Sequence, residues 1–192
     1  AILEAYNAGQ RVFGESKVQE MVAKYEALPK DIEWHFIGHL QTNKIKYMAS
    51  FVCLIHGVDS LKLLKEIDKQ AAKAGRRVKC LLQIHIAQEE TKFGFSPNEC
   101  KEMLDQGEWR ELKNIQLCGL MGMATNTDSI DQVRAEFSSL SSLFDELKSA
   151  FFASDEAFCE LSMGMSDDYP EAIEAGSTLV RVGSKIFGER VY

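Results

Sequence analysis

Short apolar runs alternate with amphipathic stretches along almost the whole chain. Arg11 to Glu15, Glu33 to Gly38 (EWHFIG), Phe51 to Gly57 (FVCLIHG), Val78 to Ile86 (VKCLLQIHI), Ile115 to Met123 (IQLCGLMGM), Phe158 to Met163 and Thr178 to Val182 predict seven strands. The stretches between them carry apolar residues at helical spacing. Ala1 to Ala8 predicts a helix stopped by Gly9, Lys17 to Leu28 one closed by Pro29, and Gln41 to Ala49 one with Ile45 and Met48 inward. Ser60 caps a helix whose Leu61, Leu64, Ile67 and Ala71 share a face, and Gly75 ends it. Ser96-Pro97-Asn98-Glu99 is a capping box with proline in the first turn. Asp128 opens a long helix with Ile130, Val133, Phe137, Leu140, Phe144 and Leu147 in one stripe, and Pro170 to Ala175 forms a short one.

Strict strand–helix alternation means βα units and a parallel sheet, and strands that are apolar throughout mean a sheet covered on both faces. Seven strands behind an opening helix suggest an α/β fold of the (β/α)8 TIM-barrel type whose first strand precedes residue 1. The chain would then be a single domain, 1–192, holding strands two to eight. An open doubly wound sheet is the competitor. It calls for an early glycine-rich phosphate loop, and neither GxGxxG nor GxxxxGK[ST] occurs.

Composition narrows the function classes. A net charge of −7 argues against binding nucleic acid through clustered cations. Five widely spaced cysteines without a CxxC pair argue against a disulfide framework or zinc site and for a reducing, cytoplasmic setting. The four histidines show no metal-binding spacing, so no metal is expected. No apolar run approaches the ~20 residues of a membrane span, and no signal peptide is expected.

In a barrel the ligand groups stand at the C-terminal ends of strands, and phosphate is often held after the last two. Those positions here are Ser162 to Ser166 and Arg181 to Ser184. Ser166 offers a hydroxyl, Gly183 and Ser184 a tight turn with exposed amides, and Arg181 a cation. Each has a plainer use: Arg181 in an ion pair inside the barrel, Ser166 as cap of the short helix after it. Asp167 and Asp168 are expected to cap that helix rather than face a phosphate. Scattered Ser, His, Cys and carboxylate residues give no hydrolytic constellation, so no catalytic residue is assigned.

Several long motifs carry a resemblance. Phe13-Gly14-Glu15 with Val18-Gln19-Glu20, His35 to Lys44 (HFIGHLQTNK), Thr91-Lys92-Phe93-Gly94, Gly119-Leu120-Met121, Leu161 to Asp168 (LSMGMSDD), Gly176-Ser177-Thr178 and Arg181 to Arg190 are similar to the pyridoxal 5′-phosphate homeostasis protein family. That resemblance implies a barrel like the N-terminal domain of alanine racemase, with pyridoxal 5′-phosphate (PLP) at its mouth. Arg181 would face the pyridine nitrogen. Ser166, Gly183 and Ser184 would hold the phosphate, with Ser16, His39 and Ser162 as further cofactor contacts.

Two departures follow. The family's Schiff-base lysine, on the first strand, has no counterpart among Lys17, Lys44, Lys92 and Lys185, and Ser16 stands where the family usually has asparagine. The function implied is a carrier or regulator of PLP pools without turnover of its own. An arginine at the ring nitrogen weakens the ring as an electron sink, and no second domain is expected to supply an opposing acid or base. The enzymatic alternative is a PLP-dependent amino-acid racemase. Expected partners are PLP and PLP-dependent apo-enzymes, not nucleic acid or membrane, with a monomer or weak dimer as the assembly.

Overall fold

Every apolar run forms a strand, and every strand lies parallel to the next. The computed structural model describes residues 1–90 and 93–188. The strands β1 (Val12–Glu15), β2 (Glu33–Phe36), β3 (Leu54–Val58), β4 (Val78–Ile84), β5 (Ile115–Gly122), β6 (Glu160–Met165) and β7 (Leu179–Arg181) form one sheet in sequence order. All six pairings are parallel. The helices are α1 (Ile2–Asn7), α2 (Val18–Ala27), α3 (Leu61–Lys73), α4 (Pro97–Gln106), α5 (Ile130–Phe151), α6 (Tyr169–Glu174) and α7 (Ser184–Phe187). A hydrogen bond from His56 on β3 to Ser162 on β6 crosses the interior, so the sheet curls round on itself as a barrel wall. β1 and β7 are its two edges and flank a common cleft.

The helix signals act as the sequence reading requires, with three corrections. Ser60 Oγ accepts from the Leu63 amide (3.1 Å), and Ser96 and Glu99 close a reciprocal capping box. The stretch expected as a helix over Gln41–Ala49 is instead a 3-10 turn over Thr42–Tyr47. The amides of Phe51 and Val52 still bond back to the Met48 carbonyl (3.0 and 2.9 Å), which delays the start of β3 to Leu54. The long helix begins at Ile130 with Ser129, not Asp128, as its cap, because the Ser129 hydroxyl reaches the Gln132 amide. Ile130 therefore lies in the first turn and is exposed, outside the buried stripe of Val133, Phe137, Leu140 and Leu147.

Side-chain alternation divides the wall into two faces. The outer face joins the helices in one continuous core that includes Phe13, Trp34, Phe36, Ile55, Leu82, Phe137 and Leu161. The inner face holds a small separate cluster of Leu54, Leu81, Cys118 and Met121, with Met123 and Leu179 packed against it. Burial pushes the thiols of Cys100 and Cys118 up to about 12 and about 11 and that of Cys80 higher still, so these three serve as small apolar residues. Among the described residues no helix is long and apolar enough to cross a membrane.

Candidate functional site

Two residues past Leu54 on β3, and two past Leu179 on β7, the same inner face turns polar. His56 follows Leu54, and Arg181 follows Leu179. Arg181 donates from Nη1 to Ser162 Oγ on β6 (2.5 Å) and from Nη2 to the Gly122 carbonyl at the end of β5 (3.1 Å). Ser162 Oγ also lies 2.8 Å from His56 Nδ1, and His56 Nε2 lies 3.0 Å from Nδ1 of His35 on β2. Five strands thus contribute to one row of hydrogen bonds spanning the interior.

The electrostatics of that row follow from burial. Desolvation lowers the His35 pKa to about 4, helped by the charge of Lys79. Desolvation holds His56 well below the usual histidine value, with His35 and Arg181 adding to the effect. Both imidazoles are therefore neutral at physiological pH. Burial lowers Arg181 to about 10, with Asp168 opposing, and leaves it a guanidinium. No ion pair reaches Arg181 among the described residues. Its hydrogen-bond partners, a hydroxyl and a carbonyl, are neutral, so the expected alternative of a structural ion pair is not what the geometry shows.

Beside the row, the turns after β6 and β7 are tied together. Ser166 is buried, and its Oγ accepts from the Gly183 amide (3.1 Å). Ser166 is therefore not a helix cap, and neither aspartate acts as one through its side chain. Asp168 is the N-cap residue of α6 but makes no capping hydrogen bond; its Oδ1 instead accepts from the Met165 amide (2.6 Å) and tightens the β6–α6 turn. Gly164 stands at φ +95°, and a Cβ there would come within 2.6 Å of Ala172, so glycine lets α6 seat on β6. Gly183 and Ser184 are exposed, and a Cβ on Gly183 would meet nothing within 4 Å.

Arg181, Gly183 and Ser184 line one open cleft of about 1570 Å3, together with Gly14, Glu15, His35, Ile37 and His56. Ser162 and Ser166 join it through their bonds to Arg181 and Gly183. The two remaining expected positions are not among the residues lining this cleft. His39, on the loop after β2, stacks on Phe93 with ring centres 3.7 Å apart and stands 3.5 Å from Asp59. The Ser16 amide donates to Glu15 Oε1 (2.7 Å), and the Ser16 carbonyl sits so near Gly38 that a Cβ there would come within 2.3 Å. Glu15 itself is 2% exposed and ion-paired to Lys24 of α2. Thr91, Lys92, Glu189 and Arg190 lie outside the described residues. Among the described residues no group of three or more His, Cys, Asp and Glu side chains could hold a metal ion.

The N-terminal-domain model of alanine racemase matches residues 1–191. The pyridoxal phosphate homeostasis protein of Aquifex aeolicus is 44% identical over 192 residues, covering the whole of this chain and 82% of that protein. The protein of the same name from Synechocystis is 40% identical over 189 residues, 97% of this chain and 84% of the relative. The chain belongs to the pyridoxal phosphate homeostasis protein family. Among solved structures, PipY of Synechococcus elongatus without PLP superposes with a TM-score of 0.90 at 37% identity, covering 97% of this chain and 86% of PipY. PipY with PLP bound superposes at 0.85 over the same shares. Alanine racemase of Clostridium difficile gives 0.72 at 15% identity over 97% of this chain and 47% of the racemase, a likeness of fold alone.

Within this family member, sequence reasoning could pick out His56 as a strand-end position but missed its contact with His35. His35 and His56 lie 21 residues apart on different strands, and no spacing rule links them. The available signal was parity: each histidine interrupts an apolar strand at a position pointing into the barrel.

Proposed function

We propose that this chain binds pyridoxal 5′-phosphate at the barrel mouth and serves PLP homeostasis as a carrier or regulator rather than as a catalyst. The observation that carries the reading is Arg181: a half-buried arginine at the end of β7, held by neutral partners, with N–H groups to spare for an acceptor in the cleft. The residues present suit the group. Arg181 would donate to the ring nitrogen, Ser166, Gly183 and Ser184 would hold the phosphate, and Gly183 leaves the backbone open to close approach. The names of the Aquifex and Synechocystis relatives and the PLP-bound form of PipY support PLP as the ligand.

When bound, PLP supplies an aldehyde and an electron-accepting ring. A guanidinium against the ring nitrogen disfavours protonation there, since two cations would meet, and so weakens carbanion stabilisation. That is the physical argument for a carrier. A parallel strand paired between the free edges of β1 and β7 would close the barrel and could bring a lysine to the aldehyde, as the family resemblance implies.

The test separates ring and phosphate recognition from covalent attachment. The full-length gene product is titrated with 4-deoxypyridoxine 5′-phosphate, which keeps ring and phosphate but lacks the aldehyde. Saturable binding that weakens roughly tenfold or more in Arg181→Ala, and less in Ser166→Ala, is expected. Equal affinity in both variants and the parent would place the site elsewhere. Incubation of the PLP-loaded protein with L-alanine is expected to give no sustained racemisation; turnover of about 1 s⁻¹ or faster would replace the carrier with an enzyme.

A further inference from the structure

The hydrogen atoms in the row behind Arg181 can be placed by counting. A guanidinium only donates, so Ser162 Oγ accepts from Arg181. Ser162 is 0% exposed and keeps one proton to give, and the acceptor within reach is His56 Nδ1 (2.8 Å). If His56 donated instead, the buried Ser162 proton would have no acceptor among the described residues. His56 Nδ1 is therefore bare, its proton sits on Nε2, and Nε2 donates to His35 Nδ1 (3.0 Å). His35 in turn carries its proton on Nε2. Each bond determines the next, and the whole row runs one way.

We propose that Ser162, His56 and His35 are positioning residues for Arg181, a one-directional row of hydrogen bonds that fixes the guanidinium in the orientation that meets the cofactor ring. This rests on the reading of Arg181 as the ring contact. The charged and titratable groups around the row agree with it. Lys79 on β4 acts on His35, and Arg181 on β7 and His35 on β2 act on His56; these three are cationic or neutral, and the one anion acting on the row, Asp168, acts on Arg181 at its other end. A proton added to either imidazole would occupy an Nδ1 already used as acceptor and would set a second cation near the first. Ser162 makes a better link than a carboxylate would, because it orients Arg181 without neutralising it.

The experiment has two arms on the full-length protein. In the first, imidazole ¹⁵N–¹H correlation spectra at neutral pH without PLP are expected to show His35 and His56 both neutral with the proton on Nε2; a proton on Nδ1 of His56 overturns the row. In the second, PLP affinity is measured by equilibrium titration. Ser162→Ala and His56→Leu are each expected to lose roughly tenfold, whereas His56→Asn, which keeps an acceptor for Ser162, recovers most of it. Adding Ser162→Ala to Arg181→Ala is expected to cost nothing more, because the two act through one contact. Fully additive losses, or unchanged affinity in Ser162→Ala and His56→Leu while Arg181→Ala is impaired, overturn the positioning role alone. Unchanged affinity in Arg181→Ala overturns the reading of Arg181 as well.

Discussion

The two faces of the barrel wall are built to different specifications. On the outer face, Phe13, Trp34, Ile55, Leu82 and Leu161 meet helices through a single apolar core, where the requirement is volume. On the inner face a small apolar cluster gives way to a row of polar groups in which each member must present a donor or an acceptor to a given neighbour. The contrast teaches where specificity resides. An outer residue can be replaced by another of similar size at modest cost; an inner one cannot, however well the replacement packs, unless it keeps the direction of the bond.

The largest effect expected from breaking this comparison lies on the outer face. Phe137 is fully buried, and Phe137→Ala is expected to cost about 3–5 kcal/mol of stability in urea unfolding. Because Phe137 has no part in the row, PLP affinity of the fraction that remains folded should stay near that of the parent. A large loss of affinity in that folded fraction would show that the two faces are coupled.

The next effect belongs to the inner face and is read through pH. The folded-state pKa of His35 is about 4 against an ordinary 6.5, and that of His56 is also lowered, so the unfolded chain binds more protons between these values. The stability contribution is complete above about pH 6.5 and is lost as pH falls toward 4, at up to about 1.4 kcal/mol per pH unit for each histidine. The double variant His35→Asn, His56→Asn should flatten that slope. An equal slope in parent and variant would assign the acid sensitivity to other groups.

The smallest effect sharpens the contrast by lying on neither face. Ser96→Ala removes the capping-box hydroxyl of α4 and is expected to cost about 1 kcal/mol with no change in PLP affinity. Thermal unfolding and a PLP titration on the same sample check both halves of that statement.

The outer face was largely legible in the sequence because apolar periodicity is a local signal. The runs EWHFIG and IQLCGLMGM needed no partner to be read as strands, and Ser60 and Ser96 lie three residues from the amides they cap. Arg181 and Ser166 were legible as strand-end positions, but what they touch was not. Ser166 meets Gly183, 17 residues on, and Ser162 meets His56 across 106 residues. The expected aspartate caps failed for a related reason: Asp168 has its carboxylate drawn back to the Met165 amide, a local competitor that composition does not reveal.

The row also does something at a distance. Its O–H and N–H dipoles are aligned with their positive ends pointing from β7 toward β2, and each polarises the next. The far end, His35, is neutral, yet the positive potential of Arg181 is carried toward it across the interior without any mobile charge. A negative or electron-rich group on the β2 side of the cleft would feel the arginine on β7 without touching it.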